Sequence, residues 1–242
     1  MSYLIVNADD FGLSRGVNYG IIESHKNGIV TSTTLMVNMP AAKHALSLAK
    51  KFRSLAVGVH LNITAGKPIH PNVPSLVNDK GYFHSKKEIL NKANVLEIEN
   101  EFRAQINGFY RLGLVPTHLD THHNLHGTEP FYSIVKVLAD EYKLPVRRLN
   151  KEEQSMNTLR FCSKFHGDDV SYETLLDIVE YARINPIEMM CHPGFVDQHL
   201  LKHSSYNIQR TKELDILTNS LTITAIQKTN INLRTFKNLG SK

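Results

Sequence analysis

The amino-acid sequence predicts an α/β protein with a mainly parallel sheet, open or closed into a barrel. Three observations predict it. Short apolar runs rich in β-branched residues, such as Tyr3–Asn7 and Ile187–Cys191, alternate with stretches of helical period. Gly, Pro, Asn and Asp gather between them, where connections must turn. The alternation fills 242 residues, 41% hydrophobic and 21% charged, which suits one barrel-sized domain with a substantial core.

Tyr3 to Asn7 reads as a buried strand that runs into Ala8-Asp9-Asp10-Phe11-Gly12. Ser14 then caps a helix with Val17, Ile21 and Ile22 on one side, closed by Gly28. Thr31 to Val37 is the next strand, followed by a helix on which Ala42, Ala45, Leu46 and Ala49 share a face. Leu55 to Val59 is a third strand, ending at His60. Residues 64–85 carry Gly66, Pro68, Pro71, Pro74 and Gly81 without sustained period, and are expected to be a long functional loop or lid over a site. Ile98, Phe102, Ile106 and Phe109 mark a helix that stops at Gly113. Leu114 to Leu119 is expected as a strand, then a helix presenting Phe131, Ile134, Val135 and Leu138, then a short strand from Pro145 to Leu149. Residues 150–170 are polar and carry no assignable pattern. Ser171 caps a helix with Leu175, Ile178, Val179 and Ala182; Ile187 to Cys191 is a buried strand; Thr211 to Lys228 is expected as one helix and Ile231 to Phe236 as a final strand.

The formal charge of +5 comes without a run of Lys and Arg or a basic stripe, which argues against nucleic-acid binding. Only Cys162 and Cys191 are present, too few for a disulfide framework, and the expected compartment is a reducing cytoplasm. Neither a signal-like N-terminus nor an apolar stretch of membrane-spanning length stands out, so no membrane association is expected. Dinucleotide, P-loop and serine-hydrolase motifs are absent.

In parallel α/β architectures the C-terminal strand ends share one face, where ligands bind. Asp9 and Asp10, His60, the segment His118 to His126, and His192 each follow an expected strand. Four segments distant in sequence would thus meet on one rim. Alone, Asp9-Asp10 reads as readily as a turn or cap, and His60 as an ordinary packed side chain. The segment Thr117-His118-Leu119-Asp120-Thr121-His122-His123-Asn124-Leu125-His126 is sharper, since four His and one Asp in nine positions are hard to explain by packing or solubility. If extended, it places His118, Asp120 and His122 on one face, where an imidazole ligates a cation while a carboxylate orients its second nitrogen. His192, before a Pro-Gly turn, suits a general acid or merely a turn contact, and Arg147 rather than Arg148 is expected to face the rim. One carboxylate with two imidazoles leaves open positions on a divalent cation, as catalysis requires, and hydrolysis is the natural chemistry.

Several stretches resemble the YdjC-like carbohydrate deacetylase family: Ile5-Val6-Asn7-Ala8-Asp9-Asp10-Phe11-Gly12, Asn27 to Thr34, Gly58-Val59-His60, Pro116 to His123, Met190-Cys191-His192-Pro193-Gly194, and Thr211-Lys212-Glu213-Leu214-Asp215. They run in the family's order along essentially the whole chain. The resemblance implies a distorted (β/α) TIM-like barrel over residues 1–242 that removes an acetyl group from short N-acetylated oligosaccharides of the chitin type, such as diacetylchitobiose. It implies Asp10, His60 and His122 as ligands of one divalent metal ion, with Asp9 as catalytic base and His192 as general acid. His118, Asp120, His123, His126 and Arg147 are expected behind these groups or against substrate. Ligand softness admits Zn, Mn or Fe, whereas the family is often assigned Mg, and Co is a further candidate. A homodimer is a family-level expectation. The chain departs from the resemblance at Asn124, where related sequences usually carry His. Two other readings stand beside this one. A metal-dependent phosphoesterase would use a similar rim but wants more ligands and a phosphate clamp, and a non-catalytic sugar-binding protein should have lost part of a set that is complete here.

Overall fold

The computed structural model describes residues 2–148 and 159–239. Among the described residues seven strands build one curled parallel sheet: β1 (Tyr3–Phe11), β2 (Ser32–Leu35), β3 (Ala56–Leu61), β4 (Leu119–Thr121), β5 (Arg160–Cys162), β6 (Ile187–Cys191) and β7 (Asn232–Leu233). Pairing runs β4-β3-β2-β1-β6-β5, and β7 joins the start of β1. A parallel bridge from Leu119 to Val146 extends the β4 edge. Strands therefore follow one another around the sheet in chain order, as in a distorted TIM-like barrel. Among the described residues no ladder joins Val146 to β5, and the barrel has a seam there.

Nine helices, α1 (Arg15–Lys26), α2 (Ala42–Lys51), α3 (Lys86–Lys92), α4 (Val95–Arg111), α5 (Phe131–Tyr142), α6 (Tyr172–Ala182), α7 (Gln198–His203), α8 (Gln209–Thr218) and α9 (Ser220–Thr229), are described between and after the strands. Their starts follow from side chains that satisfy first-turn donors. Ser14 accepts from Val17 N–H, Ser171 from Thr174 N–H and Asn94 from the first turn of α4, while Ser85 and Glu88 form a reciprocal capping box. The expected apolar faces are the buried ones: Val17, Ile21 and Ile22 of α1, and Ile98, Phe102, Ile106 and Phe109 of α4 join the core around the strands.

Differences from expectation have local causes. The strand expected from Leu114 begins at Leu119 because Pro116 has no N–H to donate and Val115 lies in solvent, although Thr117 N–H already reaches Val57 O at 3.0 Å. Of the strand expected at Pro145–Leu149 only the Val146 bridge forms, and Leu149 lies outside the described residues. The helix expected from Thr211 to Lys228 breaks at Asn219, whose extended backbone ends α8 and whose side chain caps α9 by accepting from Leu221 N–H. The final strand shortens to Asn232–Leu233, because the chain turns to bury Phe236. Residues 64–85 are less a free lid than a fastened segment. Glu101 accepts from Ile69 and His70 N–H, and Val73, Leu76 and Phe83 are buried.

Gly16 and Gly20, one turn apart on α1, form the seat of the Gly194-Phe195 backbone that follows His192. Phe195 N–H donates to Gly16 O at 3.1 Å, and a Cβ on Gly20 would collide with the Gly194 backbone. Backbone on both sides leaves no flexible group to yield. Gly20→Ala is expected to cost about 1–3 kcal/mol through overpacking and to lower the melting temperature by several degrees. Thermal unfolding checks this, and an unchanged transition would mean that the loop slides freely over α1.

Candidate metal and active site

Successive side chains of a strand point to opposite faces, so Asp9 and Asp10 could not both enter the barrel mouth from regular β-structure. A break in register resolves the conflict. The β1–β2 pairing shifts between Ala8 and Phe11, and Asp10 takes a left-handed backbone with φ of 69°. A side chain there costs energy, least for Asp and Asn. The bulge turns two buried carboxylates toward one mouth, at 2% and 1% exposure.

Asp10 Oδ1 lies 3.4 Å from His60 Nε2 and 3.1 Å from His122 Nδ1, and the two nitrogens are 3.3 Å apart. Three donor atoms thus converge from β1, the end of β3 and the turn after β4. Behind them, His60 Nδ1 meets Asp120 Oδ1 at 2.7 Å, and Thr34 Oγ1 donates to Asp120 Oδ2 at 2.9 Å. A carboxylate at Nδ1 holds the proton there and turns Nε2 toward the shared point, where its lone pair becomes available once Nε2 is deprotonated. Burial works against a charged His60, yet Asp120 and Asp10 outweigh it and push the ring's pKa up to about 10. Among the described residues Asp10 Oδ1 is fully buried and accepts no hydrogen bond. A carboxylate oxygen aimed with two imidazoles at one point suits a divalent cation.

Two guanidinium groups divide the neighbouring carboxylates. Arg147 holds Asp9 with both forks, Nη1 to Oδ2 at 2.7 Å and Nη2 to Oδ1 at 2.6 Å, while its Nε donates to Glu188 Oε1 at 2.7 Å and Nη2 lies 3.0 Å from Asp120 Oδ2. Arg210 of α8 donates to Asp10 Oδ2 at 2.6 Å. Burial would raise both aspartate pKa values, but Arg147 for Asp9, and Arg210 and His122 for Asp10, hold them below the usual carboxylate range. Both are ionised at neutral pH.

His192 follows β6 directly. Its N–H donates to Glu213 Oε2, and its Nδ1 lies 3.8 Å from Glu213 Oε1, which also accepts from Tyr206. Burial brings the His192 ring down to about 3 despite Asp9 and Asp10 nearby, so it is neutral at pH 7.

The remaining residues of the His-rich segment divide by depth. His118 is fully buried, stacked on Phe236 at 3.6 Å, bonded through Nε2 to Asn7 Oδ1 at 3.1 Å, and packed so that a Cβ on Gly58 would meet its ring at 2.6 Å. It touches neither the convergence point nor solvent, and reaches Asp9 only through Asn7, whose Nδ2 donates to Asp9 Oδ1 at 2.9 Å. His126 is also buried, between Thr121 and Arg147 O, and so fixes the Arg147 backbone. His123 and Asn124 adopt left-handed backbones that lift His123 to the surface, where Thr64 Oγ1 meets its Nδ1. Asn124 Oδ1 accepts from Arg147 Nη1 at 3.4 Å. Arg148 is exposed.

Sequence reasoning missed Arg210, Glu188, Tyr206 and His166. Glu188 carried a signal, a lone charge inside the apolar strand Ile187–Cys191; Arg210 and Glu213 carried another, buried charges three apart on one helix face. A cavity of about 300 Å³ opens over the convergence point, walled by Asp9, His60, His122, Asn124, His166 and His192 among others. A larger one of about 430 Å³, between Lys50, Arg53, Val57 and Lys237, lies toward the opposite strand ends, away from this chemistry.

Residues 3–228 match the family model described as YdjC-like protein. A carbohydrate deacetylase of Clostridium beijerinckii is 42% identical, the match covering 98% of this chain and 99% of that one. A chitooligosaccharide deacetylase of Proteus mirabilis is 39% identical over 98% of each. Among solved structures, an Enterococcus faecalis protein described as a candidate for cellobiose-phosphate cleavage matches with a TM-score of 0.91 and 35% identity over 98% of both chains. A family 4 carbohydrate esterase from Streptomyces lividans, in complex with acetate, matches with a TM-score of 0.55 at 9% identity over 96% of this chain and 91% of that one, a likeness of fold alone.

Arg147→Met leaves Asp9, Asp120 and Glu188 without their shared cation in a dry interior. Loss of about 3–5 kcal/mol is expected in denaturant unfolding. Pairing it with Asp9→Asn should recover part of the loss, since one stranded charge is then removed. Arg147→Met as stable as the parent would show that solvent reaches these carboxylates.

Proposed function

Because the chain belongs to the YdjC-like family of carbohydrate deacetylases, we propose that it removes the acetyl group from short N-acetylated amino sugars, diacetylchitobiose for one, with one divalent cation bound by Asp10, His60 and His122. That the protein is a carbohydrate deacetylase follows from its relatives. The substrate class is taken from the name of the Proteus mirabilis relative. The observation that carries the cation is the approach of one carboxylate oxygen and two imidazole nitrogens to within 3.4 Å of one another beneath an open cavity. Zn or Mg is proposed, with Mn or Co as replacements.

When bound, such a cation polarises a carbonyl oxygen and acidifies water beside it. The rest of the chemistry falls to the side chains. Asp9 has an oxygen within 4.8 Å of the donor atoms of His60 and Asp120, and it is ionised at every working pH. It receives the proton of the water that attacks the acetamide carbon. Arg147 grips both its oxygens, so its direction is fixed while its own basicity is weak. His192 rests neutral and unpartnered at Nδ1, with Glu213 near enough to favour the cation once the ring takes up a proton. The ring takes that proton from solvent in the cavity and passes it to the amine as the C–N bond breaks. Burial limits access to Asp9, at 2% exposure, to the side that lines the cavity.

Purified protein loaded with zinc or magnesium is expected to release acetate from diacetylchitobiose, and EDTA to abolish the release. Asp9→Asn should lower kcat by at least about a hundredfold, the contribution of a positioned base, while metal stoichiometry by mass spectrometry stays at one per chain. Phosphate release from a sugar phosphate without acetate would refute this reading in favour of a phosphoesterase.

Asp120 is expected to act through His60. Asp120→Asn should weaken metal affinity by about 10–100-fold in chelator competition, with the melting curve of the metal-free protein little changed in shape. An unaltered affinity would mean that Thr34 alone orients the ring.

A further inference from the structure

Ser163 and His166, from the end of the stretch that carried no assignable pattern in the sequence, supply one wall of the cavity. After β5 the chain buries Phe165, exposes His166, and turns at Gly167 with φ of 65°. The His166 ring stacks on Tyr206 with centroids 4.4 Å apart and planes 8° from parallel, and meets the His192 ring edge-on at 5.2 Å. Tyr206 is itself held at its hydroxyl, which donates to Glu213 and accepts from Gly167 N–H at 3.0 Å. Three groups, Glu213, Tyr206 and the backbone after His166, thus fix one imidazole beside another.

What this ring does is narrowed by what it lacks. Among the described residues neither ring nitrogen of His166 has a hydrogen-bond partner, although the Tyr206 hydroxyl beside it is bonded to Glu213 and Gly167. It faces the cavity, and it stands against the side chain proposed to protonate the departing amine. The leaving group of this reaction is the amino sugar, so the space next to His192 is where its ring and hydroxyls must lie. Partial desolvation and, after it, the Arg210 guanidinium lower the His166 pKa, leaving at pH 7 a neutral ring that offers one donor and one acceptor. A sugar hydroxyl, which can donate or accept, can be met by either nitrogen.

We infer that His166, held flat by Tyr206, is a specificity-determining residue that hydrogen-bonds a hydroxyl of the amino sugar on the leaving-group side of the scissile amide. This rests on the deacetylase reading above. It also accounts for Tyr206, which the chemistry of the metal and Asp9 does not use: its ring is the backing that keeps the imidazole from turning away.

The test uses the full chain loaded with zinc, diacetylchitobiose as substrate, and the variants His166→Ala, His166→Asn and His166→Phe. Loss of one well-placed hydrogen bond should raise KM about tenfold in His166→Ala with kcat within about twofold. In the Asp9→Asn background, calorimetry should find the same tenfold loss in disaccharide affinity. His166→Asn, which keeps a donor and an acceptor, should recover most of the loss. His166→Phe, which keeps only the stack on Tyr206, should not. Recovery by Phe and not by Asn would overturn the assignment in favour of a packing role, and a fall in kcat at unchanged KM would overturn it in favour of proton transfer. Should the parent protein release acetate while KM and affinity of His166→Ala stay within twofold, this inference alone falls; should the parent release none, the deacetylase reading falls with it.

Discussion

The whole site depends on a single electrostatic constraint, that adjacent carboxylates be kept ionised inside a barrel mouth almost closed to water. Asp9, Asp10, Asp120 and Glu188 are all buried, and burial disfavours their charge. Two guanidinium groups resolve this by different routes. Arg147 saturates Asp9 and touches Asp120 and Glu188, whereas Arg210 takes one oxygen of Asp10 and leaves the other bare. The bulge that makes the pair adjacent in space therefore also makes them different in kind: one is a locked anion, and the other keeps a free oxygen. Two cations do not neutralise four acids, and the remaining deficit is met by the raised affinity of His60 for a proton, which places its pKa near 10, and of Glu188, near 7. A divalent cation held by Asp10, His60 and His122 would answer the same deficit, and His60 would have to give up a proton to hold it.

The constraint reaches into the architecture. Among the described residues the barrel lacks a ladder between Val146 and β5, the one place where adjoining strand edges are not zipped by backbone. Arg147 stands at that seam. Its backbone pairs with Leu119 on one side, its guanidinium reaches Glu188 of β6 and Asp9 of β1, and its plane covers Phe161 of β5 at 4.9 Å. Side-chain bonds cross where backbone bonds do not. A buried ion network of this kind is weak evidence for net stability, because desolvation consumes much of the gain, but it specifies geometry strongly, since every alternative leaves a charge unpaired. His126 and Asn124, both from the His-rich turn, fasten that Arg at its carbonyl and at Nη1. The segment thus serves the site as much by supporting Arg147 as by contributing His122.

How much of this could be read from the sequence varies with the range of the interaction that decides it. Strand β6 was legible to the residue, α1 and α6 were legible with their Ser caps and α4 by its apolar face, because periodicity and a Ser at the start are local signals. The rim was legible for the same reason: Asp9, Asp10, His60, His122 and His192 each follow an apolar run, and in a parallel barrel strand ends meet. Depth was not legible. Alternation put His118, Asp120 and His122 on one face and could not tell that His118 lies a layer down, stacked on Phe236 from the far end of the chain. Nor could it foresee that Pro116 would delay β4 or that Asn219 would prefer to cap α9 over continuing α8. The residues missed altogether, Arg210, Tyr206 and His166, come from stretches without strong period, and their positions are set by partners more than thirty residues away.

The arrangement implies where the catalytic power must come from. Asp9, the proposed base, is gripped at both oxygens by Arg147 and is a poor proton acceptor, and His192, the proposed acid, rests near pKa 3 and holds no proton to give. Neither group matches the ideal of a catalyst poised near neutral pH. Both make sense if charge is created only in the transition state, in the same low-dielectric pocket that holds the ionised pair. In the proposed reaction the Asp9 side of the mouth loses negative charge as the attacking water gives up its proton, and the His192 side gains positive charge before the amine departs, when the ring takes up the proton it then passes on. Asp10 and Glu213, fixed in place beforehand, favour that second change without moving. The rate is then set less by the proton affinity of any one side chain than by dipoles and charges already oriented for a state that forms only during reaction, which is what a rigid, mostly buried floor beneath an open cavity provides.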